Sequence, residues 1–288
     1  MQSLVNLCKP TDVVEKSGIH ISKNIANTTV WDTLAAKNPT HAVISSPDEA
    51  TAAAKSVDQI NNIKAHVSAD TILLDYGCGY GRVAKYLLPQ VTLAGYIGLD
   101  SAHEMLRLFR ERYDWTEAEQ ATPLLLLNAD TNDSPLQSDT VDVAVVSAVF
   151  LHNHKSVVRS SVAELARVVK PGGTVLVYSS FPRLWSLMGL QGQMYQMLLN
   201  LLGRPFKNGP VRYYTSREIN RLFAGFASVE LVPVGFAVLP KTIIILPWPL
   251  EVAWRVGIAN PINSLLERIS PAVIQRYFAA NLDVVAKR

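Results

Sequence analysis

Residues 71–82 read TILLDYGCGYGR, and the reading of this stretch decides the fold. An apolar run, Ile72, Leu73 and Leu74, ends in an acid, Asp75, and opens into a loop bearing Gly77, Gly79 and Gly81. A helix-forming segment, RVAKYLLPQ (82–90), follows at once. A buried strand, a glycine turn and a helix start together predict a nucleotide-type binding site. The glycines let the backbone pass close to a ligand where a Cβ would clash. Cys78, between two of them, is small and apolar enough to pack there.

The spacing is GxGxG rather than GxGxxG, and the acid just before the first glycine has chemical content. A dinucleotide pyrophosphate favours a helix N-terminus without a neighbouring carboxylate. Asp75 would repel it, whereas a ligand carrying an ammonium and a sulfonium would be attracted. The stretch resembles motif I of the class I S-adenosylmethionine (SAM)-dependent methyltransferases. The resemblance implies SAM as cofactor, with Asp75, Gly77, Cys78, Gly79 and Gly81 around it.

Downstream signals fall into register with that loop. VTLAGYIGL (91–99) is a second strand ending in Asp100, close to the roughly 20-residue spacing at which an acid meets a ribose diol. A carboxylate suits a diol because it accepts two hydrogen bonds in a fork. Ser101 and Glu104 read as a capping box opening the next helix. LLLLN (124–128) is a third buried strand leading into Ala129, Asp130 and Thr131; the resemblance implies that Asp130 meets the adenine amino group, with Ala129 and Thr131 flanking the base. TVDVAVVSAVFLHNH (140–154) contains a fourth strand, which the family places beside the sulfonium, and its carboxyl end carries Ser147, Phe150, His152 and His154. Ligands gather at the carboxyl ends of parallel strands, so Ser147 is expected against the cofactor and Phe150 against the acceptor. If the acceptor is a hydroxyl a base helps, and either His152 or His154 has the right type and address. ELARVVKPGGTVLVYS (164–179) resembles the family's entry to its fifth strand.

The expected architecture is α/β: a Rossmann-like, doubly wound, seven-stranded sheet with its last strand, NLDVVAKR, antiparallel. The whole chain reads as one methyltransferase domain in four parts: an N-terminal helical cap (1–69), a SAM-binding core (70–182), a helical lid insertion (183–212), and the remainder of the sheet with an apolar insertion (213–288). Trp31 and His41 of the cap could border the cofactor cleft or simply pack the helices. The insertion has apolar residues at Leu184, Leu187, Met188, Met194, Met197, Leu198, Leu201 and Leu202, at helical spacing. Tyr213 and Tyr214, before a Thr215–Glu218 capping box, are candidates for shaping the acceptor pocket.

With 288 residues, 49% hydrophobic and 18% charged, the chain can bury a large core. A net charge of +3 is too mild to indicate nucleic acid. Cys8 and Cys78 imply neither a disulfide framework nor a metal site. No apolar run reaches a membrane span, although residues 231–258, broken by prolines and charges, could touch a membrane surface. The expected location is the cytoplasm, and the expected partner is a small apolar acceptor; methylation of oxygen, nitrogen or carbon is left open. Two other classes fit the glycine loop: a SAM-binding module without turnover, and a nicotinamide-dependent oxidoreductase, against which the spacing and Asp75 argue.

Overall fold

The computed structural model describes residues 4–9, 12–23, 25, 30–35, 49–111, 121–203, 211–239, 250 and 253–288. His41, the expected helix start at Ser46, Pro47 and Asp48, and the Pro-rich part of the apolar insertion (240–249) lie outside the described residues.

Nine strands among them form one sheet: β1 (Val13–Lys16), β2 (Ile19–Ser22), β3 (Ile72–Tyr76), β4 (Gly95–Asp100), β5 (Leu124–Asn128), β6 (Val141–Ser147), β7 (Val169–Tyr178), β8 (Ser228–Phe236) and β9 (Ala279–Lys287). Their spatial order is β1-β2-β5-β4-β3-β6-β7-β9-β8. From β5 to β7 the strands run parallel, and β9 pairs antiparallel with both β7 and β8. The helices are α1 (Val30–Ala35), α2 (Glu49–Lys64), α3 (Arg82–Leu87), α4 (His103–Glu111), α5 (Lys155–Val168), α6 (Leu187–Leu201), α7 (Ser216–Leu222), α8 (Asn260–Ile269) and α9 (Ala272–Phe278).

The two strands beyond the expected seven come from the N-terminal region, which the sequence reading makes wholly helical. VVEK and IHIS form a hairpin whose second strand lies parallel to β5, His20 opposite Leu127. Ser17 and Gly18 in its turn have φ of 52° and 73°, the left-handed pair that two-residue hairpin loops need.

Strand alternation sorts the parallel strands into two apolar layers, one on each face. Leu74, Tyr76, Ala144, Val146 and Val177 belong to one core; Leu73, Val143, Val145 and Leu176 belong to the other. Each fully buried large aliphatic side chain of this kind contributes about 1.5–3 kcal/mol. Burial on both faces explains why β3 and β5 read as continuous apolar runs. Chain order reverses at β3, which lies between β4 and β6. Its carboxyl end is therefore the topological switch point, where open α/β sheets place their ligands.

Candidate functional site

At that switch point a cleft opens to solvent. Its floor is the glycine loop, Gly77 and Gly79, with Asp100 and Ser101 from the end of β4. Thr131 follows β5, and Ser147, Ala148 and Val149 follow β6. Trp31 of α1, Met105 of α4, and His152 and Asn153 after β6 complete the walls.

The loop is folded tightly over β4. Gly77 and Cys78 both donate backbone N–H to the Leu99 carbonyl, at 2.7 and 3.0 Å. Gly77 has φ of 77°, and a Cβ built there would meet Val149 Cγ2 at 2.5 Å. Gly81, φ 83°, opens α3, and its Cβ would drive into the Phe109 ring at 2.4 Å. Gly77 thus allows Val149 to pack against the loop at the cleft, while Gly81 serves packing against Phe109 away from it.

Asp100 is locked in place by backbone donors. Its Oδ2 accepts from Gly79 N at 2.7 Å and its Oδ1 from Ala102 N at 2.8 Å. A carboxylate has about four lone-pair sites, so these backbone donors do not exhaust its capacity to accept from a ligand. Burial pushes its pKa up to about 6 against these bonds. The expected Ser101–Glu104 capping box is not formed: α4 starts two residues later, at His103, and the Glu104 N–H is taken by Asp32 Oδ1 at 2.9 Å. That bond docks α1, and with it Trp31, onto α4 beside the cleft.

Asp75, expected to face the ligand, does not line the cleft. Alternation puts it on the same sheet face as Tyr96, whose hydroxyl donates to Asp75 Oδ2 at 2.6 Å. Burial raises its pKa to about 7. Cys78 is likewise buried, its thiol directed at the Gly79 carbonyl and pushed well up by burial. Asp130 is half-buried outside the cleft wall, whereas its neighbour Thr131 is in it.

The two histidines part company. His152 ends a 3-10 turn (Phe150–His152) and presents its ring to the cleft, packed edge-on against Trp31 with centroids 5.5 Å apart. Its Nδ1 is buried and without a hydrogen-bond partner, and burial lowers its pKa. His154 is exposed and caps α5, its Nδ1 engaged by Ser156. Of the aromatic candidates, Phe150 is wholly buried against Phe181 and Tyr76. Tyr214 is buried against Phe181, and Tyr213 packs where a Cβ on Gly192 would meet it. None of the three lines the cleft: the rings of Phe150 and Tyr214 complete the core, and Tyr213 packs against α6.

One contributor has no role assigned from the sequence. Arg82, the last residue of the glycine stretch, is buried behind the loop and donates to Ser56 Oγ (2.9 Å), Gln59 Oε1 (3.0 Å) and Ser147 Oγ (2.7 Å). It fastens α2 to the end of β6. Nothing local in the sequence couples residues 56, 59, 82 and 147; only the packing of α2 does.

The model of a family described as "Methyltransferase domain" matches residues 74–177. Residues 74–177 thus match the core of a methyltransferase domain. It is 33% identical over 154 residues to a ubiquinone/menaquinone biosynthesis C-methyltransferase from Ralstonia pickettii, covering 52% of this chain and 60% of that one. It is 30% identical over 112 residues to a fatty-acid O-methyltransferase from Mycolicibacterium smegmatis, 38% of each chain. A SAM-dependent methyltransferase from Archaeoglobus fulgidus shares the fold with a TM-score of 0.52 at 13% identity, over 82% of this chain and 94% of that one. The chain thus spans about three fifths of the curated relative it matches over 154 residues.

The cleft has features that SAM, the cofactor of such domains, would need. A carboxylate at Asp100 and hydroxyls at Ser101, Thr131 and Ser147 fit a nucleoside with a polar tail.

Proposed function

We propose that this methyltransferase transfers the methyl group of SAM to a small, apolar acceptor, with His152 taking the acceptor's proton. The observation that carries the reading is one cleft with Asp100 at the glycine loop and a proton-accepting imidazole, His152, on the wall after β6. When bound, SAM supplies an electrophilic methyl carbon. Asp100 accepts the ribose hydroxyls in a fork, Gly77 and Gly79 let the backbone approach, and Thr131 borders the base. Ser147, steadied by Arg82, holds the tail.

What the chain itself adds to the displacement is alignment and exclusion of water, which are worth several kcal/mol when the reacting atoms are held near contact. Trp31, Met105 and Val149 supply the dry walls. His152, kept neutral by its burial, is ready to accept a proton near neutral pH. His154 is occupied in capping α5 and has no part in the chemistry. The acceptor's apolar character is supported by the exposed apolar faces of α6 and α8 beside the sheet, which also support contact with a membrane surface. Relatives that methylate carbon and oxygen leave the acceptor atom open. The test is calorimetric binding of SAM, followed by transfer of labelled methyl to a panel of quinone-precursor, fatty-acid and amine acceptors. Tight SAM binding without transfer to any lipid-extracted acceptor would replace this reading with a binding module.

A further inference from the structure

Among the described residues, every exposed large hydrophobic side chain except Val14, Val57 and Leu124 lies in 185–202 or 250–278. The helices that carry them leave much of their apolar surface facing outward. A helix folded onto a core faces its apolar stripe inward. In α6 the inward side mixes Met188 and Leu199 with polar residues: Gln193 donates to the Leu184 and Gly189 carbonyls and Gln196 to the Val211 carbonyl. Its apolar stripe, Leu187, Leu190, Met194, Met197 and Leu201, faces solvent. In α8 the inward residue is Asn263, which accepts from Val238 N and Leu239 N and donates to the Leu239 carbonyl. Ile262, Leu265 and Ile269 face outward. Val273 and Tyr277 extend that stripe along α9.

The two segments leave the sheet at the same place. The Arg183 guanidinium, just before α6, donates to the Arg276 carbonyl at 2.6 Å and to those of Tyr277 and Ala279 at the end of α9. Charge and aromatic content indicate what covers them. α6 has no charged residue, and in 253–278 Arg255, Arg268 and Arg276 outnumber the single acid, Glu267. Trp185 and Tyr277, each 73% exposed, are the amphipathic rings that settle at headgroup level. Neither helix spans a bilayer: no helix of the described residues is long and apolar enough.

We infer that α6 and the α8–α9 pair form an interfacial docking surface for an anionic lipid bilayer, with apolar stripes in the acyl boundary and arginines at the headgroups. The surface is joined to the cleft: Gln196 of α6 holds the Val211 carbonyl, the next residue's N–H donates to the Leu151 carbonyl at 2.7 Å, and His152 follows. Docking would thus present the cleft to an acceptor dissolved in lipid, a consequence that rests on the apolar-acceptor reading; the docking itself does not.

The test is co-sedimentation of the full chain, without SAM or acceptor, with vesicles of phosphatidylcholine alone and mixed with phosphatidylglycerol. The full chain should bind the mixed vesicles more strongly, and added salt should weaken that preference. Met194→Glu with Leu201→Glu, and separately Ile262→Glu with Ile269→Glu, should each lower partitioning at least ~tenfold while SAM affinity and melting temperature stay unchanged. Arg268→Gln with Arg276→Gln should remove the preference for anionic vesicles. No binding to either vesicle overturns the inference. So does a dimer in light scattering that the same glutamates dissociate without any vesicle binding; it would assign the stripes to a second copy. Because vesicle binding is read without methyl transfer, its failure leaves the catalytic reading standing, and the converse also holds.

Discussion

Replacing Asp100 by alanine separates what this residue does for the loop from what it does for the ligand. Two backbone N–H groups, on Gly79 and Ala102, lose their acceptors. Leaving a donor unsatisfied costs about 1–3 kcal/mol, and solvent entering the cleft offsets part of it. The cofactor-free protein should therefore melt several degrees lower. The ligand loses a charged hydrogen-bond partner, worth about 1.5–3 kcal/mol, so Kd for SAM should rise roughly 10- to 150-fold. Titration calorimetry well below the melting transition reads the second effect without the first. The pH dependence gives an independent check. The carboxylate of Asp100 has its pKa raised to about 6 by burial, and only its ionised form accepts both ribose hydroxyls. Affinity in the parent protein should be flat above that pH and fall as pH drops through it, by up to about tenfold per unit. In Asp100→Ala the fall should vanish. An unchanged Kd, or a parent affinity indifferent to pH between about 5 and about 8, would refute the ribose assignment.

Other expectations concern the neighbours. His152→Ala should lower kcat by about 10²- to 10⁴-fold and leave SAM affinity alone, whereas His154→Ala should keep kcat and cost about 1 kcal/mol of stability as a lost cap; equal kinetic losses in the two variants would undo the distinction. The parent kcat should fall as pH drops through a value below the ordinary histidine pKa of 6.5, since burial disfavours the charged ring. Gly77→Ala should abolish SAM binding in a calorimeter, because the methyl group meets Val149 at 2.5 Å and the backbone is left-handed. Asp75→Asn should alter stability rather than binding. Its pKa, ordinarily 3.8, rises to about 7 on folding, so between these values the folded state holds a proton that the unfolded state releases, and stability falls as pH rises. The asparagine variant should be the more stable above about pH 7, with the gap closing toward pH 4, in urea unfolding curves at both ends.

Much of this site could be read from the chain because it is built from local units. A strand, a turn and a helix start at 71–82 fix one another within a dozen residues, and Asp100, Thr131 and Ser147 follow because each lies at or just past the carboxyl end of a parallel strand near the switch point. Residue type misled where burial competes with function. Phe150 and Tyr214 carry the right chemistry near the right strands, yet their rings complete the core around Phe181. Asp75 occupies the register position expected of an acid but, by alternation, faces Tyr96 instead of the cleft. His152 and His154 are two residues apart, and a single 3-10 turn sends one into the cleft and the other to a helix cap. Arg82 was invisible because its partners on α2 are 23 and 26 residues away. The N-terminal hairpin did leave a trace, Ser17-Gly18 between two short β-prone runs, but four-residue strands scarcely rise above background. The apolar spacing of α6 was legible, but its outward orientation depends on two glutamines whose carbonyl partners only the fold supplies.

The place of β9 has a consequence for biosynthesis. Among the described residues β8 pairs with no strand but β9, and β9 begins about 40 residues after β8 ends. On the ribosome, then, β7 and β8 are both made before the strand that joins them, and each exposes an unpaired edge while the apolar helices α8 and α9 emerge. Long-range pairing of this kind is slow, and open edges beside apolar helices invite wrong association. The nascent chain is therefore most vulnerable between synthesis of β8 and of β9, and a chaperone that shields the residues between them should raise the yield of folded protein more than one acting on the earlier parallel strands.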